Sequence, residues 1–85
     1  MCMQTTGESP SFEEYWNTVK KHLKYYMSWM DDTELENYMY SGESSEFIAE
    51  CYKHEKEKFA AGEINIAQFM EAGTSGTAYA LFLLY

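Results

Sequence analysis

The sequence predicts an all-α fold, a compact small bundle of about five short helices over residues 11–30, 32–41, 44–61, 65–72 and 75–85. Three observations carry this. Apolar residues recur at spacings of three and four. Capping pairs stand just before those periodic stretches. The single proline, Pro10, precedes all of them, so nothing downstream forces a helix to break. No stretch alternates apolar and polar residues for long enough to build a sheet.

The first helix opens with Ser11 and Glu14, a capping box in which each side chain satisfies the other residue's backbone N–H. Phe12, Trp16, Val19, Leu23, Tyr26 and Met30 then form one apolar stripe, with Glu13, Asn17, Lys20, Lys21 and Lys24 on the other side. Its last residues, "YYMSWM", are apolar around more than one face. Asp31 or Asp32 caps the second helix, which presents Leu35, Tyr38 and Met39 on one face and ends at Gly42. The third starts near Ser44 or Ser45 and carries Phe47, Ile48, Cys51, Tyr52 and Phe59. On its outer side Lys53 can meet Glu57, and Glu50 can meet Lys53 or His54, before Gly62 stops it in a left-handed turn.

The fourth start is the best marked. Asn65 and Gln68 form a second capping box, and Ile64 and Phe69 occupy the positions of a hydrophobic staple. Gly73 reads as its stop, and Thr74 or Ser75 as the cap of a fifth helix, "GTAYALFLLY". That last segment is apolar on nearly every side, as expected of a helix at the centre of a small domain.

Eighty-five residues make one domain: a flexible N-terminal tail over 1–10 and a single all-helical domain over 11–85. A chain of this size buries about 60–65% of its unfolded surface. With 46% apolar and 18% aromatic residues, it has enough core material to fold despite a net charge of −8.

Charge and motif content exclude several functions. All six basic residues are lysines, and none lies between Tyr25 and Tyr52. That interval holds Asp31, Asp32, Glu34, Glu36, Glu43, Glu46 and Glu50. Without arginine or a basic cluster, direct nucleic-acid binding is not expected. Cys2 and Cys51 cannot make a disulfide framework, and the first residues lack a basic and apolar leader. Reduced thiols and a cytoplasmic location are therefore expected. The terminal apolar run is too short to span a membrane, which takes about 20 residues. "GTSGT" lacks the lysine of a phosphate-binding loop.

The remaining chemistry is sparse. Asp32, Glu34, Glu36 and Glu43 fall at positions of a calcium loop, but Asn37 stands where the sharp turn needs glycine. Cys51 and His54, with His22 or Glu50, supply part of a zinc set and do not complete one. No catalytic residue, cofactor-binding residue or metal ligand set is expected, and the chain reads as non-enzymatic.

Eight tyrosines, two tryptophans and six methionines point instead to contact surfaces, where such side chains concentrate. The expected function is a small acidic protein-interaction or regulatory module with a protein partner or a second copy of itself. The candidate surface is Tyr25, Tyr26, Trp29, Met30, Asp31, Asp32, Glu34, Glu36, Tyr38 and Tyr40. An alternative is an acidic inhibitor that mimics nucleic acid, its carboxylates over 31–50 filling a phosphate-binding groove. A third is a metal-binding protein or enzyme using the partial sets above. If the terminal helix is core, Leu81→Ala or Phe82→Ala costs about 2–5 kcal/mol in denaturant unfolding. A loss below about 0.5 kcal/mol places that side chain on the surface.

Overall fold

A computed structural model describes residues 9–85. Among them the chain is all helical: α1 (Phe12–Tyr26), α2 (Asp32–Tyr40), α3 (Gly42–Ala60), a π-helical segment (Gln68–Gly73) and α4 (Thr74–Leu84). The described chain measures 44 × 20 × 18 Å.

Local signals act where they were read. The Ser11 hydroxyl accepts the Glu14 N–H at 3.1 Å, and the Glu14 carboxylate accepts the Ser11 N–H at 3.0 Å. Asp31 and Glu34 make the same reciprocal pair at 2.8 and 3.1 Å, so Asp31 rather than Asp32 caps α2. Asn65 and Gln68 make a third, both bonds at 2.8 Å. Gly62 takes φ +78°, the left-handed turn that ends α3 without a Cβ penalty.

Several boundaries differ from expectation. Helix α1 ends at Tyr26, and 27–30 form a turn in which the Met30 N–H donates to the Met27 carbonyl at 3.0 Å. This turn sends both Met27 and Met30 into the core. Gly42 does not stop α2; it is the first residue of α3, and Ser41 separates the two helices. The tail expectation fails at its inner end, because Pro10 is buried and its carbonyl accepts the Tyr52 hydroxyl at 2.6 Å. Residues 1–8 of that tail, with Cys2, lie outside the described residues.

The largest correction concerns Gly73. It has helical angles, φ −63° and ψ −49°, and the backbone runs helically from 66 to 84 without a break. The fourth and fifth predicted helices are thus one element with a widened turn inside it. A π turn accommodates one extra residue. It brings Phe69 and Thr74, five apart, onto the face that continues through Thr77, Ala78 and Leu81, and all five are buried.

That face packs on α1. Tyr15 meets Gly73 and Thr77, and eleven residues later Tyr26 meets Tyr79 and Phe82. Helices α1 and α4 therefore pack directly against each other, and α2 and α3 link them along the chain. The core joins Tyr15, Val19, Leu23 and Met27 to Leu35, Met39, Ile48, Phe69 and Leu81, all fully buried. Tyr15 is thus a core residue, whereas Phe12, placed on the apolar stripe by spacing, stays 38% exposed. The outer-face pairs expected on α3 are replaced by Lys58–Glu55 at 3.5 Å and Lys56 over the Tyr52 ring at 5.8 Å.

Helix α4 is not central. Its inner face is covered, but Tyr79, Leu83, Leu84 and Tyr85 are exposed. Leu81 is fully buried and Phe82 only partly, so the larger alanine penalty belongs to Leu81. The continuous helix makes a paired prediction from two glycines. Gly76 lies within α4, and a Cβ there meets nothing within 4 Å. Gly76→Ala is expected to stabilise by about 0.5–1 kcal/mol, and Gly62→Ala to destabilise by about 1 kcal/mol, in thermal or urea unfolding. A destabilising Gly76→Ala would mean a loop at that position.

Candidate functional site

The carboxyl-terminal end of α1 and the outer side of α4 form an exposed aromatic patch. Tyr26 is its hub: its ring lies 5.7 Å from Tyr25, 5.6 Å from Tyr79 and 5.9 Å from Phe82, stacked on the last. Trp29 reaches the same Phe82 ring at 6.3 Å. The Tyr26 hydroxyl pairs with the Ser75 hydroxyl at 3.3 Å, which holds the hub ring against α4. Around this hub Tyr25 is 82% exposed, Trp29 62% and Tyr79 49%. Leu83, one turn beyond Tyr79, is exposed beside them.

Of the ten sequence-selected residues, the structure brings Tyr25, Tyr26 and Trp29 together here. Met30 is buried and belongs to the core. Tyr38 is half-buried, donates to the Leu81 carbonyl at 2.7 Å and meets the Tyr85 ring edge-on at 5.2 Å. Burial raises its pKa, which the Ser44 hydrogen bond partly offsets. Tyr40 lies elsewhere, 4.8 Å from Trp16. Tyr79, Phe82 and Leu83, all within the terminal apolar run, were not among the ten selected residues. In an all-apolar helix nothing local distinguishes the covered face; the π segment decides it.

The acidic residues do not act as one free block. Asp31 and Glu34 are engaged in capping. Glu36 holds Lys20 at 2.6 Å, and Asp32 holds Lys24 at 2.7 Å. The hydrogen bond to Glu36 raises the Lys20 pKa, and the bond to Lys24 lowers that of Asp32. These pairs tie α2 to α1, although ion pairs this exposed add little to stability. Glu43, Glu46 and Glu50 remain exposed on α3. Residues 32–40 are helical, which is not the ligand-wrapping loop that the calcium pattern requires.

Cys51 and His54 do converge, lining a groove of about 450 Å³ between α3 and the π segment with Glu55, Gln68, Gly73 and Gly76. His22 does not line this groove. A Cβ on Gly73 would stand 2.6 Å from the Glu55 carboxylate, so glycine permits that close approach. Among the described residues no group of three His, Cys, Asp or Glu side chains is placed to hold a metal ion. Among them, too, no helix is long and apolar enough to cross a membrane. No protein-family model, curated protein or solved structure matches the chain.

Beneath this groove lies the most perturbed titratable group. Tyr15 is fully buried, with its hydroxyl 2.8 Å from that of Thr77 and 3.5 Å from the Gly73 carbonyl. Burial pushes its pKa up to about 12, opposed in part by the Thr77 hydrogen bond. An unfolded tyrosine ionises near pH 10. Between about pH 10 and 12 the unfolded chain has lost a proton that the folded chain retains, so stability falls as pH rises through that window. The raised Tyr38 adds in the same direction. Tyr15→Phe is expected to cost about 0.5–1.5 kcal/mol near neutrality and to flatten this alkaline decline, measured by urea unfolding at several pH values. An unchanged slope would mean that the phenol is not buried.

Proposed function

We propose that the chain is a small acidic, non-enzymatic interaction module that binds a protein partner or a second copy of itself through the aromatic patch on α1 and α4. The observation that carries this reading is the joined set Tyr25, Tyr26, Trp29, Tyr79 and Phe82, whose outer members stay exposed although the domain has an apolar core beside them. Exposed clusters of large apolar side chains mark contact surfaces, and tryptophan and tyrosine dominate their binding energy. A rigid hub with exposed rings around it suits such a role, because little side-chain entropy is lost on docking. Two cysteines without a disulfide framework suit a reducing compartment such as the cytoplasm.

A nucleic-acid mimic draws less support. It needs carboxylates free to replace phosphates, and four of the seven over 31–50 are already engaged in caps or lysine pairs.

The test combines sedimentation over a concentration series with affinity co-purification from the native host. A Tyr25→Ala/Trp29→Ala double variant changes only exposed side chains, so its helical content is expected to match the parent, with stability within about 1 kcal/mol. The parent is expected to self-associate or retain a host protein, and the double variant to bind at least about tenfold more weakly. A parent that stays monomeric and retains nothing lost by the variant would contradict the proposal.

A further inference from the structure

A second concave feature lies between α1 and α2, separate from the aromatic patch. Phe12, Glu13, Trp16 and Asn17 form one wall, and Glu36 and Tyr40 the other, around a volume of about 370 Å³. That volume falls in the range of small-molecule sites, about 300–1,000 Å³. The helix spacings explain the arrangement. Phe12 and Trp16 form one row on α1 and Glu13 and Asn17 the row beside it, each pair one turn apart, and 36 and 40 stand one turn apart on α2.

The lining has a specific chemistry. The Trp16 ring lies 5.8 Å from Phe12 and 4.8 Å from Tyr40, inclined to both, so three aromatic rings meet at one place. Trp16 is 7% exposed and forms the floor, while Tyr40 at 67% and Phe12 at 38% stand as open walls. Two carboxylates, Glu13 and Glu36, complete the rim. Lys20 holds one oxygen of Glu36 at 2.6 Å and leaves the other outside that ion pair. The Trp16 indole Nε1 is buried with no hydrogen-bond partner among the described residues.

Aromatic faces carry negative potential and, with carboxylates beside them, attract a weakly hydrated cation. Anions are disfavoured by Glu13 and Glu36, and a wholly apolar ligand gains nothing from them. We propose that this groove binds a quaternary ammonium group, the trimethylammonium of a small molecule or of a methylated lysine. The rings enclose its methyl groups, and the Glu13 carboxylate on the rim balances its charge.

Binding is read from the two indole N–H resonances of ¹⁵N-labelled protein, assigned with Trp29→Phe, a change at an exposed side chain. Choline is titrated against its uncharged isostere, 3,3-dimethyl-1-butanol, at constant ionic strength. Choline is expected to shift the Trp16 signal saturably and to leave Trp29 in place, with the neutral isostere about tenfold weaker. Tyr40→Ala, again at an exposed side chain, is expected to weaken choline about tenfold with helical content unchanged, and Glu13→Gln to weaken it severalfold. A second arm uses N-acetyl-trimethyllysine amide: binding tighter than choline identifies a protein side chain as the source, and weaker binding identifies a free small molecule. No saturable Trp16 shift with either cation, or equal binding of the neutral isostere, would overturn the proposal.

Discussion

The structure depends on how α1 meets the helical run that contains the π segment. Tyr15 stands at the middle of that contact, its hydroxyl between the Thr77 hydroxyl and the Gly73 carbonyl. A π turn loosens the regular ladder of backbone bonds, and carbonyls in it need other donors. Here side-chain hydroxyls supply them. Thr77 donates to Gly73 at 3.0 Å, and Thr74 donates to Met70 at 2.7 Å. Thr74 and Thr77 are buried polar residues that the helix can hold only because these bonds exist. The widened turn in turn aligns Phe69 with Leu81 and sets which side of α4 is left outside.

From that alignment the surface features follow. Because Thr74, Thr77, Ala78 and Leu81 face inward, Tyr79 and Leu83 must face outward, next to the end of α1. Because α1 stops at Tyr26, the turn that buries Met27 and Met30 leaves Trp29 projecting toward Phe82. The aromatic patch is thus a product of one helix register and one helix end. The groove between α1 and α2 has a different origin, in the lysine pairs and the Trp16–Tyr40 contact that join those helices.

What could be read from the sequence divides along the range of the interactions. The capping boxes at Ser11 and Asn65 involve residues three apart, so their geometry is written locally and both form, while the cap left open between Asp31 and Asp32 falls to Asp31. Gly62 is likewise local, a left-handed residue just after the end of α3. Gly73 has the same local look but remains helical, in a run packed against Tyr15, fifty-eight residues away. No window around Gly73 contains that information. The same holds for the site: Tyr25 and Trp29 were legible as surplus aromatics, whereas Tyr79 and Phe82 join them only through the register of α4. Met30 and Tyr38 looked alike in sequence and were drawn inward by the turn after α1 and by the Leu81 carbonyl.

The claim on which the rest hangs is that the helix runs unbroken through Gly73 and Gly76. Backbone ¹³Cα chemical shifts across residues 66–84 test it directly, residue by residue. The account predicts helical shifts throughout, with slow amide exchange at Thr77 and Ala78, where the helix lies against α1. A return to coil values at residues 73–76, flanked by two separate helical segments, would contradict it.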